Sequence, residues 1–229
     1  MTKHIQKLNA LNTIRYNCKE DEPSQLEVTG LECIRQDIIL FQDVSFKLHT
    51  GDLLQINGVN GSGKSSLLRL LAGLMQQNDG EISWQGKEIS RCRYEYQQEI
   101  NYIGHLNGVK DALTALENLQ VMVALAGSKS EIPLSNALDQ LELTGMETVP
   151  LSRMSVGQKR RVALARLLVT KAAIWLLDEP FTSLDASGKL FIERLITEHC
   201  ARGGIIIFST HQPMEIEGCS IMHIHLGKK

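Results

Sequence analysis

Hydrophobic positions follow three rhythms along this chain. Near the N-terminus they alternate, as in Val44-Ser45-Phe46-Lys47-Leu48, and Leu26-Glu27-Val28-Thr29 and Asp37 to Leu40 read the same way. Period-two alternation predicts strands with one buried face. Gly51 marks a turn, and Asp52-Leu53-Leu54-Gln55-Ile56-Asn57 predicts a strand. Ser66 to Ala72 then predicts a helix, Asn78-Asp79-Gly80 a turn, and Glu81 to Trp84 a further short strand. Between Leu106 and Leu151 the rhythm turns helical. Thr114-Ala115-Leu116-Glu117 fits a capping box, so a helix is expected to start there. Pro133 and Gly145 punctuate two more helical stretches. From Ala172 onward the apolar runs become continuous. Ala173 to Asp178 and Gly204 to Ser209 read as buried strands on either side of a helix from Ser187 to Cys200. Such strands belong to a parallel sheet covered on both faces, which makes this an α/β chain. Residues 1–24 are polar and irregular, ending in Lys19-Glu20-Asp21-Glu22-Pro23, and read as a mobile or loosely packed extension outside the fold.

Between the strand at 52–57 and the following helix lies Gly58-Val59-Asn60-Gly61-Ser62-Gly63-Lys64-Ser65, followed by Ser66. It fits G-x-x-x-x-G-K-[ST]. Glycines let the backbone curl so that successive N–H groups point at one centre, and the helix adds its positive N-terminal end. Lys64 is then placed to reach β- and γ-phosphates, and Ser65 to offer a hydroxyl to Mg²⁺.

Two more segments carry chemistry once that loop is in view. The strand 173–178 ends in Asp178-Glu179. In phosphate-loop enzymes a carboxylate at such a strand end holds Mg²⁺, and the next one can position or deprotonate a water. Met154-Ser155-Val156-Gly157-Gln158 contains a second capping-box pattern, Ser155 to Gln158, opening a helix with Val162, Leu164, Ala165 and Leu168 available for burial. A helix start with a serine hydroxyl and a nearby glycine is a second anion site.

Composition narrows the class. A chain of 229 residues makes one large domain, or a domain with a subdomain, and buries about 70% of its unfolded surface. The formal charge of −2 gives no basic excess for nucleic acid. Lys159-Arg160-Arg161 reads as a solvated helix face. Five scattered cysteines without C-x-x-C spacing point to a reducing compartment rather than to disulfides or zinc. No apolar run reaches the 18 or more residues of a membrane span, so work at a membrane would need a partner. His223 and His225 share one strand face, where an ordinary structural pair outweighs a metal site.

The order of the motifs resembles the ATP-binding cassette ATPases. Ser155-Val156-Gly157-Gln158 is similar to the family signature, Leu176-Leu177-Asp178-Glu179-Pro180 to its acidic strand end, Thr182-Ser183-Leu184-Asp185 to its D-loop, and Ser209-Thr210-His211 to its switch histidine. The resemblance spans roughly residues 25–226. It implies a P-loop NTPase nucleotide-binding fold with a mixed or parallel sheet core, an antiparallel β subdomain, and a helical subdomain at about 106–170 within a domain of residues 25–229. It also implies ATP and Mg²⁺ as ligands, and a homodimer that sandwiches each ATP. Residues 58–66 would cradle the phosphates, Lys64 would bind them, and Ser65 and Asp178 would hold Mg²⁺. Glu179 would handle the water and His211 the γ-phosphate. Ser155, Gly157, Gln158 and Asp185 would act across the dimer.

Within the family, Ile103-Gly104-His105, Leu113 to Leu119, Asp178 to Thr182 and Thr210-His211-Gln212-Pro213 look like the haem-exporter ATPases of cytochrome c maturation. That likeness implies an integral permease partner of the CcmB type, peripheral placement on the cytoplasmic face of a bacterial inner membrane, and a docking surface at about 106–151 with the His105 loop. Whether ATP drives haem export or haem release from a carrier stays open at this level. Three positions depart from the wider family. His105 stands where glutamine is usual, acting through water or serving the joint to the membrane partner. Val156 replaces a glycine, and Met154 beside it replaces a leucine. Arg35 falls where an aromatic ring stacks on adenine, either stacking with its guanidinium plane or lying idle on the surface. The rival readings are an exporter ATPase for another cargo, a soluble cassette protein acting on ribosomes or DNA, and a nucleotide kinase. The last would lack the signature and D-loop.

Overall fold

A computed structural model describes residues 25–127, 130–211 and 213–227. The proposed extension at 1–24 and Gln212 lie outside the described residues. Two sheets organise the chain. The first is antiparallel: β1 (Leu26–Arg35), β2 (Ile38–Leu48), β4 (Asp79–Trp84) and β5 (Lys87–Glu88) pair in the order β2-β1-β4-β5. Alternation holds here, with Leu26, Val28, Leu31 and Cys33 buried from β1. The hairpin turn falls at Gln36-Asp37, both at positive φ, so β2 begins at Ile38 and not at Asp37. Register shifts on either side of Leu31 let β1 run on to Arg35 beyond the four residues the sequence pattern marked.

The second sheet is parallel throughout its described pairs. β3 (Leu53–Gly58), β6 (Ile100–Ile103), β7 (Ile174–Asp178), β8 (Ile205–Ser209) and β9 (Ile221–Leu226) stand in the order β6-β7-β8-β3-β9. Every residue of β7 and β8 is buried, as expected for strands covered on both faces. α1 (Lys64–Leu71) packs on one face, with Leu67, Leu68, Leu70 and Leu71 inside a core shared with the antiparallel sheet. α6 (Ala186–Ala201) covers the other face through Ile192, Leu195 and Ile196. α2 (Arg93–Gln98) is a short connector that buries Tyr96.

The helical stretch consists of α3 (Ala115–Leu125), α4 (Leu134–Gln140), a 3-10 turn at Leu151–Arg153 and α5 (Val156–Val169). Both capping boxes are formed, Thr114 with Glu117 and Ser155 with Gln158. The first helix starts after Thr114, as its capping box predicts, and residues 104–113 form a loop, held where the Asn118 side-chain oxygen accepts the Lys110 N–H at 2.7 Å. α5 joins two cores. Leu164 and Leu167 enter the sheet-side cluster, while Val162, Ala165 and Val169 enter a helical cluster with Leu119, Leu138 and Leu151.

The basic run on α5 is not the solvated face its composition suggests. Arg160 and Arg161 are buried, 4% and 9% exposed. Arg161 donates through one nitrogen to both Asp185 carboxylate oxygens (2.6 and 2.8 Å) and through the other to the Leu141 carbonyl (2.9 Å). This ties the helical part to the start of α6. The two arginines occupy the same helical faces as Leu164 and Ala165, four residues on, which explains their burial.

On α6, His199 stacks on Trp175 of β7 with ring centroids 3.9 Å apart. Burial pushes its imidazole down from 6.5 to about 4, opposed by the Ala173 carbonyl. The unfolded chain therefore takes up a proton that the folded chain refuses between these values. The contribution is full above pH 6.5 and is lost as pH falls through about 4. Wild type is expected to lose up to about 3 kcal/mol from this group over that window. In urea titrations at stepped pH, His199→Phe should show a correspondingly shallower acid limb.

Candidate functional site

Parallel pairing sets the level of the strand ends. Ile56 of β3 is in register with Ser209 of β8, Ser209 with Asp178 of β7, and Leu177 with Ile103 of β6. Gly58 pairs with Leu226 of β9. The segments Gly58–Ser65, Asp178-Glu179, Ser209–His211 and Gly104–Asn107 therefore leave the sheet at one edge, the carboxyl ends of the strands. Ligands of open α/β sheets bind at such an edge.

The loop 58–65 has the geometry of an anion cradle. Gly61 and Gly63 sit at φ 80° and 100°, a region that favours glycine. A Cβ on Gly63 would lie 2.9 Å from the Phe41 ring, and one on Gly58 would collide with the Leu226 carbonyl. Space on the open side of Gly61 is free. Gly63 precedes the first turn of α1, which has no side-chain cap and no acidic residue. Its N–H groups are left for a ligand. Lys64 Nζ donates to the Gly58 carbonyl at 2.7 Å and the Val59 carbonyl at 3.1 Å, lying across the loop. Ser62 Oγ is buried without a hydrogen-bond partner. Ser66 is turned toward β1, where its side chain bonds Cys33, whose thiol burial pushes up.

At the next strand ends, Ser209 Oγ donates to Asp178 Oδ1 at 2.6 Å and accepts the Glu179 N–H at 3.0 Å. The other Asp178 oxygen, Oδ2, is buried with no partner. A desolvated, unpaired carboxylate oxygen is a costly group, and a hard oxygen donor beside a phosphate cradle suits Mg²⁺. Glu179 adopts φ 50°, unusual for a residue with a side chain. Its Oε1 lies 2.6 Å from His211 Nε2, and its Oε2 accepts from Thr182 Oγ1 at 3.3 Å. The structure thus places Asp178, Glu179 and His211 at neighbouring strand ends, with Glu179 and His211 in direct contact. Ser209 is a member of this cluster that sequence reasoning left without a role; its position one strand-level across from Asp178 was the available signal.

The remaining candidates lie apart. Ser155, Gly157 and Gln158 form the start of α5, with Gln158 Nε2 donating to Met146 Sδ at 3.3 Å. A Cβ on Gly157 would come within 3.0 Å of the Ser183 carbonyl, so the glycine permits close approach of the D-loop segment. Asp185 caps α6 through the Gly188 N–H at 3.0 Å. That bond first, and Arg161 next, hold its carboxyl below the usual range. Arg35 ends β1 with a guanidinium nitrogen 3.3 Å from Met75 Sδ. His105 is exposed in the loop after β6. His223 faces Asn57 across β9 and β3 at 3.3 Å. Among the described residues, no three or more His, Cys, Asp or Glu side chains are arranged so as to hold a metal ion by themselves.

A family model of the ABC transporters matches residues 41–182. The cytochrome c biogenesis ATP-binding export protein CcmA of Nitrosomonas europaea is 45% identical over 90% of this chain and 98% of that protein. The chain belongs to the ABC transporter family. A CcmA protein of Vibrio cholerae is 44% identical over 88% of this chain and 98% of its own length. Among solved structures, the ATP-binding subunit of an ABC transporter superposes with a TM-score of 0.73 at 27% identity, covering 82% of this chain and 80% of that one. A dimeric ATP-binding cassette holding ADP and phosphate superposes with a TM-score of 0.75 at 20% identity, over 89% and 97%. In this ABC transporter family member the loop 58–65 lies within the matched stretch, as do Asp178 and Glu179.

Removing the Ser209 hydroxyl leaves a buried N–H and a carboxylate oxygen without their partner. Ser209→Ala should lower stability by about 1–3 kcal/mol in denaturant titrations. It should lower kcat for ATP about tenfold, since it frees both the Glu179 backbone and the Asp178 carboxylate while leaving the loop 58–65 in place.

Proposed function

We propose that this protein is the ATP-hydrolysing subunit of a haem-handling export complex in c-type cytochrome biogenesis. The observation that carries the ATPase chemistry is the convergence at one sheet edge of the phosphate cradle, the half-partnered Asp178 and the Glu179–His211 pair. The cytochrome c assignment rests on relatives 41–46% identical that bear that name.

In this reading the backbone of residues 58–66 and the Lys64 ammonium bind the phosphates of ATP. Ser65 and Asp178 hold Mg²⁺, which neutralises charge on the phosphate oxygens when bound. Glu179 accepts a proton from, or orients, the attacking water, and His211 shifts from Glu179 to the γ-phosphate. Arg35 offers its planar guanidinium to the base. Two copies face each other, so that Ser155, Gly157, Gln158 and Asp185 of one complete the pocket of the other; the solved cassettes of this fold include dimers. Residues 25–229 act as the ATPase domain, with the part from about 106 to 170 as its helical subdomain.

Among the described residues no helix is long and apolar enough to cross a membrane. A CcmB-type permease would hold the subunit at the cytoplasmic face of the inner membrane. The surface for it is the loop after β6 with α3, where Leu106 and Leu125 are more than 80% exposed (84% and 82%) and Val121 adds a third exposed apolar side chain.

Two experiments test this. Glu179→Gln is expected to retain ATP binding, to lose turnover by at least about a hundredfold, and to accumulate as a dimer with ATP in size-exclusion chromatography. A Glu179→Gln protein with wild-type turnover overturns the role given to that carboxylate. Leu106→Glu with Leu125→Glu should leave ATP binding intact but abolish co-purification with the integral subunit from native membranes, and with it c-type cytochrome formation.

A further inference from the structure

Arg160 is buried in a place where a cation is expensive. Its side chain lies on the sheet-facing side of α5, and its guanidinium makes four hydrogen bonds to neutral oxygens. One terminal nitrogen donates to the Gly104 carbonyl (3.2 Å) and to Asn107 Oδ1 (3.0 Å). The other donates to the carbonyls of Asp178 (3.0 Å) and Glu179 (2.9 Å). Its Nε is buried with no partner. Burial pulls its pKa below the ordinary guanidinium range, with the Asp178 and Glu179 charges opposing.

A structural staple between helix and strand would not need this side chain. One pair of carbonyls could be served by an amide, without burying a charge. What only a planar fork of donors does is grip two separate segments at once. One is the end of β7, where Glu179 holds φ 50°. Its N–H is fixed by Ser209 and its carbonyl by Arg160, so both sides of this disfavoured backbone conformation are pinned. The other is the loop after β6, whose residues His105 and Leu106 are exposed.

We propose that Arg160 is the positioning residue that sets the Glu179 carboxylate and mechanically links it to the Gly104–Asn107 loop. A displacement of that loop by a docked partner is carried to Glu179 through one rigid side chain. The proposal rests on the ATPase reading and deepens it: Arg160 touches neither substrate nor reacting atoms.

The test uses the full-length chain and reads nucleotide sites per chain, Kd for Mg-ATP, and kcat. Arg160→Gln is expected to bind one nucleotide per chain with Kd within about twofold of wild type while kcat falls about tenfold or more. A fall in sites per chain with kcat per site unchanged marks a merely structural role and overturns the proposal. Asn107→Ala removes one of the two loop-side bonds, leaving that to the Gly104 carbonyl, and should lower kcat about threefold, with no further loss when added to Arg160→Gln. Losses that multiply overturn the coupling. If Arg160→Gln does not fold, Arg160→Lys and Asn107→Ala are read instead, and wild-type kcat in both overturns the proposal. Wild-type protein that hydrolyses no ATP sinks the ATPase reading itself, whereas an active wild type matched by Arg160→Gln sinks this inference alone.

Discussion

The level at which five parallel strands end decides everything downstream. With Ile56, Ser209 and Asp178 in register across three neighbouring strands, the segments that follow them emerge side by side. A shift of one residue in any pair would turn every side chain of that strand to the opposite face. Ser209 would then no longer meet Asp178, and His211 would leave Glu179. The fully buried sequences of β7 and β8 hold that register, since slippage would disrupt packing on both faces of the sheet at once.

α5 is the second determinant. It serves two cores, and its first two turns carry the buried arginines that reach across to other segments. Arg161 fixes the capping carboxylate of α6, and Arg160 fixes the backbone of the strand-end glutamate. The helix that carries the signature-like Ser155 is therefore bonded both to the D-loop region and to the acidic strand end. Movement of the helical part cannot leave either unaffected.

Charge in the site is handled by pairing within the protomer. Glu179 meets His211, Asp185 meets Arg161, and Asp178 shares Ser209. The exceptions are informative. Asp178 Oδ2 and Ser62 Oγ are buried and unpartnered, and the uncapped start of α1 leaves its N–H groups free. These orphan donors and acceptors lie in the two segments the proposed chemistry uses, the phosphate cradle and the acidic strand end. Polar groups in native interiors are rarely left so without a ligand to meet them.

Much of this was legible in the chain. The phosphate loop, both capping boxes, the buried strand at 174–178 and the helix after Asp185 depend on residues within a few positions of each other. Local hydrogen bonding and the periods of 2 and 3.6 fix them wherever they occur. The capping box put the first helix start at Thr114, but the path of the loop at 104–113 was not legible, because it is tied by Asn118, a contact that no period encodes. The burial of Arg160 and Arg161 was also missed, although their spacing from Leu164 and Ala165 puts them on apolar faces. Charge alone argues for solvent, and the acceptors that overrule it lie 18 to 56 residues away in sequence. Sequence determined which local pieces form, the glycine-rich loop proposed to hold phosphate among them. Only the tertiary structure decided which carbonyls would satisfy a buried guanidinium and which hydroxyl would join two carboxylate-bearing residues, because those partners become neighbours only after the sheet has closed.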